Sequence, residues 1–143
     1  MIEGAFKHKD NKGNSGVIKP GEVQWMTAGR GIVHSETPVQ ANSKGMQLWV
    51  NLPAASKMIE PSYQDLTKKN MVTKQVTDHC KLTVIAGKST TTGLESILKL
   101  HQDLFYLDVV ITKSGESYAD MIPASHQGFM YVLSGAGKLA GTQ

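Results

Sequence analysis

Two residues carry the strongest chemical signal in this chain. They are His34 and Glu36, at the end of Gln24-Trp25-Met26-Thr27-Ala28-Gly29-Arg30-Gly31-Ile32-Val33-His34-Ser35-Glu36. On an extended segment, residues two apart point to the same face, so this imidazole and carboxyl project together with Ile32. One nitrogen and one oxygen donor form half of a mixed N/O metal site. Held on the inner face of a barrel, the pair would leave coordination positions open to oxygen or a substrate. A stable transition-metal site needs three or four ligands, and this pair supplies two. By spacing alone, a solvated polar face is the commoner meaning of a His-x-Glu strand.

The remaining candidates are weaker. His8, followed by Asp10, would have to face the same cavity to serve as a ligand. His79 and Cys80 are adjacent, and adjacent strand residues point to opposite faces, which argues against a metal pair. His101 and His126 read as surface or turn residues. Cys80 precedes an apolar strand and reads as a buried thiol. Trp25 and Trp49 read as packing residues rather than a stacking platform. Arg30 reads equally as a residue at the cavity mouth or as a plain turn residue. No catalytic nucleophile or acid–base pair is assigned.

The elements that must position His34 and Glu36 are β-strands. Short runs of Val, Ile, Leu, Phe, Tyr and Trp are separated by Gly, Pro, Asn and Ser, which points to an all-β sandwich or barrel. Strands are expected at Gly4–His8, Val17–Ile18, Glu22–Met26, Ile32–Glu36, Met46–Leu52, Leu82–Ala86, Leu104–Ile111, Ser117–Ile122 and Gly128–Leu133. Alternation is clear in Met46–Leu52, where Met46, Leu48, Val50 and Leu52 share one face. Short helical turns are expected only near Ser62–Leu66. Pro20-Gly21 signals a turn, as does the loop between Gly13 and Gly16. Gly135–Gly137 reads as a hairpin turn leading into the last residues. The polar stretch 67–79 reads as a linker between two strand-rich blocks, 1–66 and 80–143.

Composition narrows the function classes. The formal charge is +3, from 15 Lys and Arg against 12 Asp and Glu, and the basic residues are dispersed. The densest group, Lys68, Lys69 and Lys74, is too short for a nucleic-acid arm, so no direct nucleic-acid binding is expected. No run reaches the roughly 18 apolar residues of a membrane span. The single cysteine excludes an internal disulfide and fits a reducing compartment.

The stretch Gly21–Glu36 closely resembles the second metal-ligand motif of the pirin family, within the cupin superfamily. The resemblance extends upstream through Gly4-Ala5-Phe6, His8, Asp10, Gly13 and Gly16. Downstream it covers Gly45–Leu52 and Lys57–Leu66, then thins through Val84–Gly87, Phe105–Asp108 and Tyr131–Gly135. It implies two jelly-roll barrels with non-haem iron in the N-terminal one, held by three histidines and a glutamate. His34 and Glu36 match the third histidine and the glutamate. The family's first two histidines lie on a His-x-His strand that precedes the position of Met1, and this sequence contains no His-x-His. The resemblance also implies that His8 is kept in the family without being a ligand. The expectation is therefore an incomplete double cupin: residues 1–66 as the second part of the N-terminal barrel and 80–143 as the first part of the C-terminal barrel. Iron would be weakly held. The family implies a nuclear and cytoplasmic co-regulator whose partner is a transcription-factor complex. Alternatives are a quercetin dioxygenase acting on a flavonol, and an inactive remnant.

Overall fold

The computed structural model describes residues 1–140 and is almost entirely β. Its strands are β1 (Phe6–Asp10), β2 (Ser15–Ile18), β3 (Val23–Thr27), β4 (His34–Pro38), β5 (Ser62–Leu66), β6 (Val72–Thr77), β7 (Cys80–Ala86) and β8 (Tyr106–Ile111). A single 3₁₀ turn, Ala54–Ser56, is the only helical element among the described residues. Among the described residues the strand pairings are antiparallel and form three sheets, ordered β2-β1-β4, β3-β5 and β6-β7-β8. No helix among the described residues is long and apolar enough to cross a membrane.

The core sits on β7. Cys80, Leu82, Val84 and Ala86 are fully buried there, the inward positions of one alternating strand. Leu66 at the end of β5 packs with Ile85, Ala86 and Leu98, and Val23, Trp25 and Tyr106 close around them. This cluster joins the β3-β5 sheet to the β6-β7-β8 sheet. Trp25 therefore packs as expected. Trp49 does not: it is 84% exposed.

Several expected elements differ. Ser62–Leu66 is a strand rather than a helical turn, because full pairing with β3 also places Leu66 in the core. Within 67–79, read as a linker, Val72–Thr77 forms β6 and pairs with β7 across the Asp78-His79 turn. Its Lys74 and Gln75 masked the strand pattern, and a lysine is what an open sheet edge favours. Met46–Leu52 forms no strand. Its apolar face stays partly exposed, and alternation without a partner strand does not hold an extended segment in a sheet.

Ser117–Ile122 is not a strand either, because its polar groups are used elsewhere. The Asp120 carboxylate accepts from the Thr90 and Thr91 amides at 2.9 and 3.0 Å and from the Tyr118 hydroxyl at 2.7 Å. The Thr91 hydroxyl in turn donates to the Ala119 carbonyl at 2.7 Å. These bonds clasp 118–121 onto the 88–93 turn. Gly128–Leu133 is exposed and pairs with no strand among the described residues. The second arm of the hairpin expected after Gly135 runs into Gly141–Gln143, outside the described residues.

Candidate metal centre

His34 opens β4, and the loop before it is fixed at both ends. Gly29 has φ +52°, and a Cβ there would collide with the Ile59 carbonyl oxygen, so only glycine fits this approach. The same carbonyl accepts the Arg30 amide at 2.9 Å, and the Arg30 guanidinium pairs with Glu60. Arg30 is thus a tether between the loop and residues 59–60. On the other side, the Asn11 amide donates to the Val33 carbonyl at 2.9 Å, and the Asn11 side chain accepts the Val33 amide at 3.3 Å.

Strand register then places the polar side chains. Asp10 lies opposite His34, and His8 lies opposite Glu36. Directly opposed residues of an antiparallel pair share a face, with Cβ atoms about 4.5–5.5 Å apart. His8, Asp10, His34 and Glu36 therefore occupy one face of the β2-β1-β4 sheet. On β1 this face reverses the usual pattern: His8 and Asp10 are buried while Lys7 and Lys9 face out.

The four groups are not equivalent. The imidazole of His8 leans over Gly16 on β2, where any Cβ would strike its Nε2. Gln24 Nε2 sits 3.0 Å from that nitrogen and also donates to Asp65 Oδ1 at 3.2 Å. Tyr63 stacks on His8 with ring centroids 6.1 Å apart. His8 is thus held toward β2 and away from β4. Asp10 is committed to the 10–14 loop: its Oδ1 accepts the Lys12 and Asn14 amides, each at 2.8 Å, and its Oδ2 accepts the Asn14 side chain at 2.6 Å. Burial alone would raise the Asp10 carboxyl, but these bonds outweigh it and bring the pKa down to about 2.

His34 and Glu36 remain. They sit two apart on an unbroken strand, with His34 half-buried and Glu36 exposed. The His34 imidazole has no hydrogen-bond partner among the described residues, which leaves its nitrogens open to a ligand. Glu36 Oε2 accepts Gln47 Nε2 at 3.2 Å, and Gln47 Oε1 accepts the Trp49 indole at 3.2 Å. Tyr63 is the residue that sequence reasoning missed. Its hydroxyl is buried, lies close enough to Asp10 to bias that carboxyl, and makes no well-formed hydrogen bond. Burial, then Asp10, then Glu36 push its pKa up. Ser62–Leu66 reads from the sequence as a helical turn, which gives Tyr63 no sheet face, and only its place on β5 stacks it on His8.

The pair is not enclosed. A cleft of about 150 Å³ runs between β2 and β5, lined by His8, Ser15, Gly16, Glu22, Asp65 and Thr67 among others. A wider one of about 500 Å³ lies beside His101 and Asp103. Neither includes His34 or Glu36. Among the described residues, no three His, Cys, Asp or Glu side chains converge as a metal would require. The iron that the resemblance implies therefore does not fit this residue set as a complete site. His79 sits in the β6-β7 turn, His126 stacks on Phe105 and faces Asp103 at 3.6 Å, and the buried Cys80 thiol is pushed up in pKa by burial and then by Glu116.

Comparison with known proteins bears on the family and the fold. Residues 1–50 match the family described as Pirin. A pirin-like protein of Solanum lycopersicum is 43% identical over 138 residues, covering 96% of this chain and 46% of the relative. A Pseudomonas aeruginosa protein named putative quercetin 2,3-dioxygenase is 37% identical over 141 residues, covering 95% of this chain and 49% of the relative. A solved quercetin 2,3-dioxygenase of Acinetobacter baumannii superposes with a TM-score of 0.69 at 29% identity, over 79% of this chain and 37% of that one. The chain thus spans about half the length of the curated relatives it matches. Sequence motif, antiparallel topology and superposition agree: the chain belongs to the pirin family and folds as part of an all-β cupin.

Proposed function

We propose that this chain carries one half of a pirin-type iron site, His34 and Glu36, and works as a regulatory protein of the nuclear and cytoplasmic co-regulator type. The observation that carries the reading is the pair itself: two donors on one face of β4, with the imidazole unpartnered among the described residues. Two protein ligands leave most of the coordination sphere to water, so iron binds weakly and reversibly. A weakly held dication beside Glu36 changes local charge and suits a switch that biases a surface offered to a partner. The partner proposed is a transcription-factor complex. Iron-dependent capture of such a complex by the wild-type chain, lost in His34→Ala, supports the reading. Equal capture by the apo and iron-treated chain overturns it.

A second reading is favoured by the names of relatives. Both the Pseudomonas protein and the Acinetobacter structure are called quercetin 2,3-dioxygenases. In that reading a flavonol is the substrate, and the metal supplies the oxygen chemistry while the protein binds and orients. The open, exposed position of Glu36 weighs against it, because dioxygen chemistry needs a shielded pocket. Aerobic loss of quercetin in the presence of the iron-treated chain, absent in Glu36→Ala, would establish it. The third reading, an inactive remnant, predicts neither capture nor turnover.

A further inference from the structure

The β3-β5 sheet has two faces, and each is committed to a different part of the chain. The register sets Val23 opposite Leu66, Gln24 opposite Asp65, Trp25 opposite Gln64 and Met26 opposite Tyr63. Opposed residues share a face and neighbours alternate, so Gln24, Met26, Tyr63 and Asp65 lie on one side. Val23, Trp25, Gln64 and Leu66 lie on the other. No residue of β3 is exposed, so that strand is covered on both sides.

The first face grips β1 through His8. Tyr63 stacks on that imidazole, and Gln24 Nε2 sits 3.0 Å from its Nε2 while donating to Asp65 Oδ1 at 3.2 Å. His8 in turn lies opposite Glu36 in the sheet that carries His34. The second face grips the chain beyond β7. Gln64 Nε2 donates to the Lys99 carbonyl at 2.9 Å, and Gln64 Oε1 accepts the Lys99 amide at 2.8 Å. The side-chain amide thus pairs with the Lys99 backbone much as a neighbouring strand would. Leu66 packs beside it with Ile85, Ala86 and Leu98, and Val23 and Trp25 close on the same cluster.

We propose that β5 is a coupling strand, through which the β2-β1-β4 sheet and the core on β7 hold or lose their order together. Along Tyr63, Gln64, Asp65 and Leu66 the attachments alternate between the two sides. A slip of one residue would turn every one of these side chains to the wrong face. β5 therefore has two states rather than a range: in register with both faces engaged, or displaced with both released. An element with two discrete arrangements is what carries coupling between separated regions. The proposal rests on bonds and packing that the chain makes with itself, and it is independent of the metal reading.

The test is native-state hydrogen exchange on the full 143-residue chain, read at β1 and at β7. Gln64→Ala removes the bonds of the second face, and Tyr63→Ala removes the ring stacked on the first. Each should speed exchange about tenfold or more on the side that its own side chain does not touch. That side is β1 for Gln64→Ala and β7 for Tyr63→Ala. If Tyr63→Ala does not fold, Tyr63→Leu, which stays apolar but has no ring to stack, gives the same readout. Asp120→Ala is the control: its bonds to the 88–93 turn do not involve β3 or β5, and it leaves β1 at the wild-type rate. Effects confined to the side each altered residue touches overturn the proposal. An equal loss of β1 protection in Asp120→Ala also overturns it, because that marks a general loss of stability rather than coupling through β5.

Discussion

Gly29 offers the sharpest test of how the loop before His34 is held. Replacing it with alanine imposes a left-handed backbone on an L-residue, at about 1–2 kcal/mol. The new methyl also meets the Ile59 carbonyl oxygen, backbone that cannot rotate away. Relieving the clash stretches the Arg30 amide bond to that carbonyl, a loss of about 0.5–1.5 kcal/mol. The exposed Arg30–Glu60 pair adds at most about 1 kcal/mol. Stiffening of the unfolded chain works the other way by about 0.4–1 kcal/mol. The net expectation is a destabilisation of about 0.5–4 kcal/mol in urea unfolding. Gly13→Ala is the control, because Gly13 also has positive φ, at +90°, but nothing lies near its Cβ position. It should cost only the backbone strain. If the two variants lie within about 0.5 kcal/mol of each other, the close approach at Ile59 is not what fixes this loop.

Two further outcomes follow from the hydrogen-bonded carboxylates. Asp10 has a folded pKa of about 2, below its ordinary 3.8, so its contribution to stability is complete above about pH 4 and fades as pH falls through 2. Acid unfolding of wild type should therefore be steeper between those values than that of Asp10→Asn, and parallel curves would refute the assignment. Asp120→Ala should release the clasp on the 88–93 turn, costing about 1–3 kcal/mol. It should speed amide exchange at Thr90, Thr91 and Met121 and leave β1 and β4 unchanged, whereas unaltered exchange at those three amides would show the clasp to be incidental.

The sequence was most legible where local chemistry is decisive. The two-residue spacing of His34 and Glu36 placed both on one face without knowledge of any partner strand. The sequence alone left open which neighbours these residues would meet, since cross-strand register depends on contacts distant in the chain. Asp10 and His8 join the face only through the β1-β4 pairing, and Tyr63 only through β5. The reverse failure occurred at Met46–Leu52, whose alternation is clear but whose backbone finds no sheet. In its place Gln47 reaches Glu36, so a segment read as a strand acts on the site through one side chain. At β6 the outward-facing lysine of an edge strand was read as linker polarity.

Iron binding measured against ligand removal tests the central claim most directly. Wild-type chain titrated with ferrous iron under anaerobic conditions, then dialysed and assayed for metal, should retain clearly less than one iron per chain. Both His34→Ala and Glu36→Ala should abolish even that. A tight one-to-one complex, or weak binding indifferent to both substitutions, would contradict the view that these two side chains form half of a site.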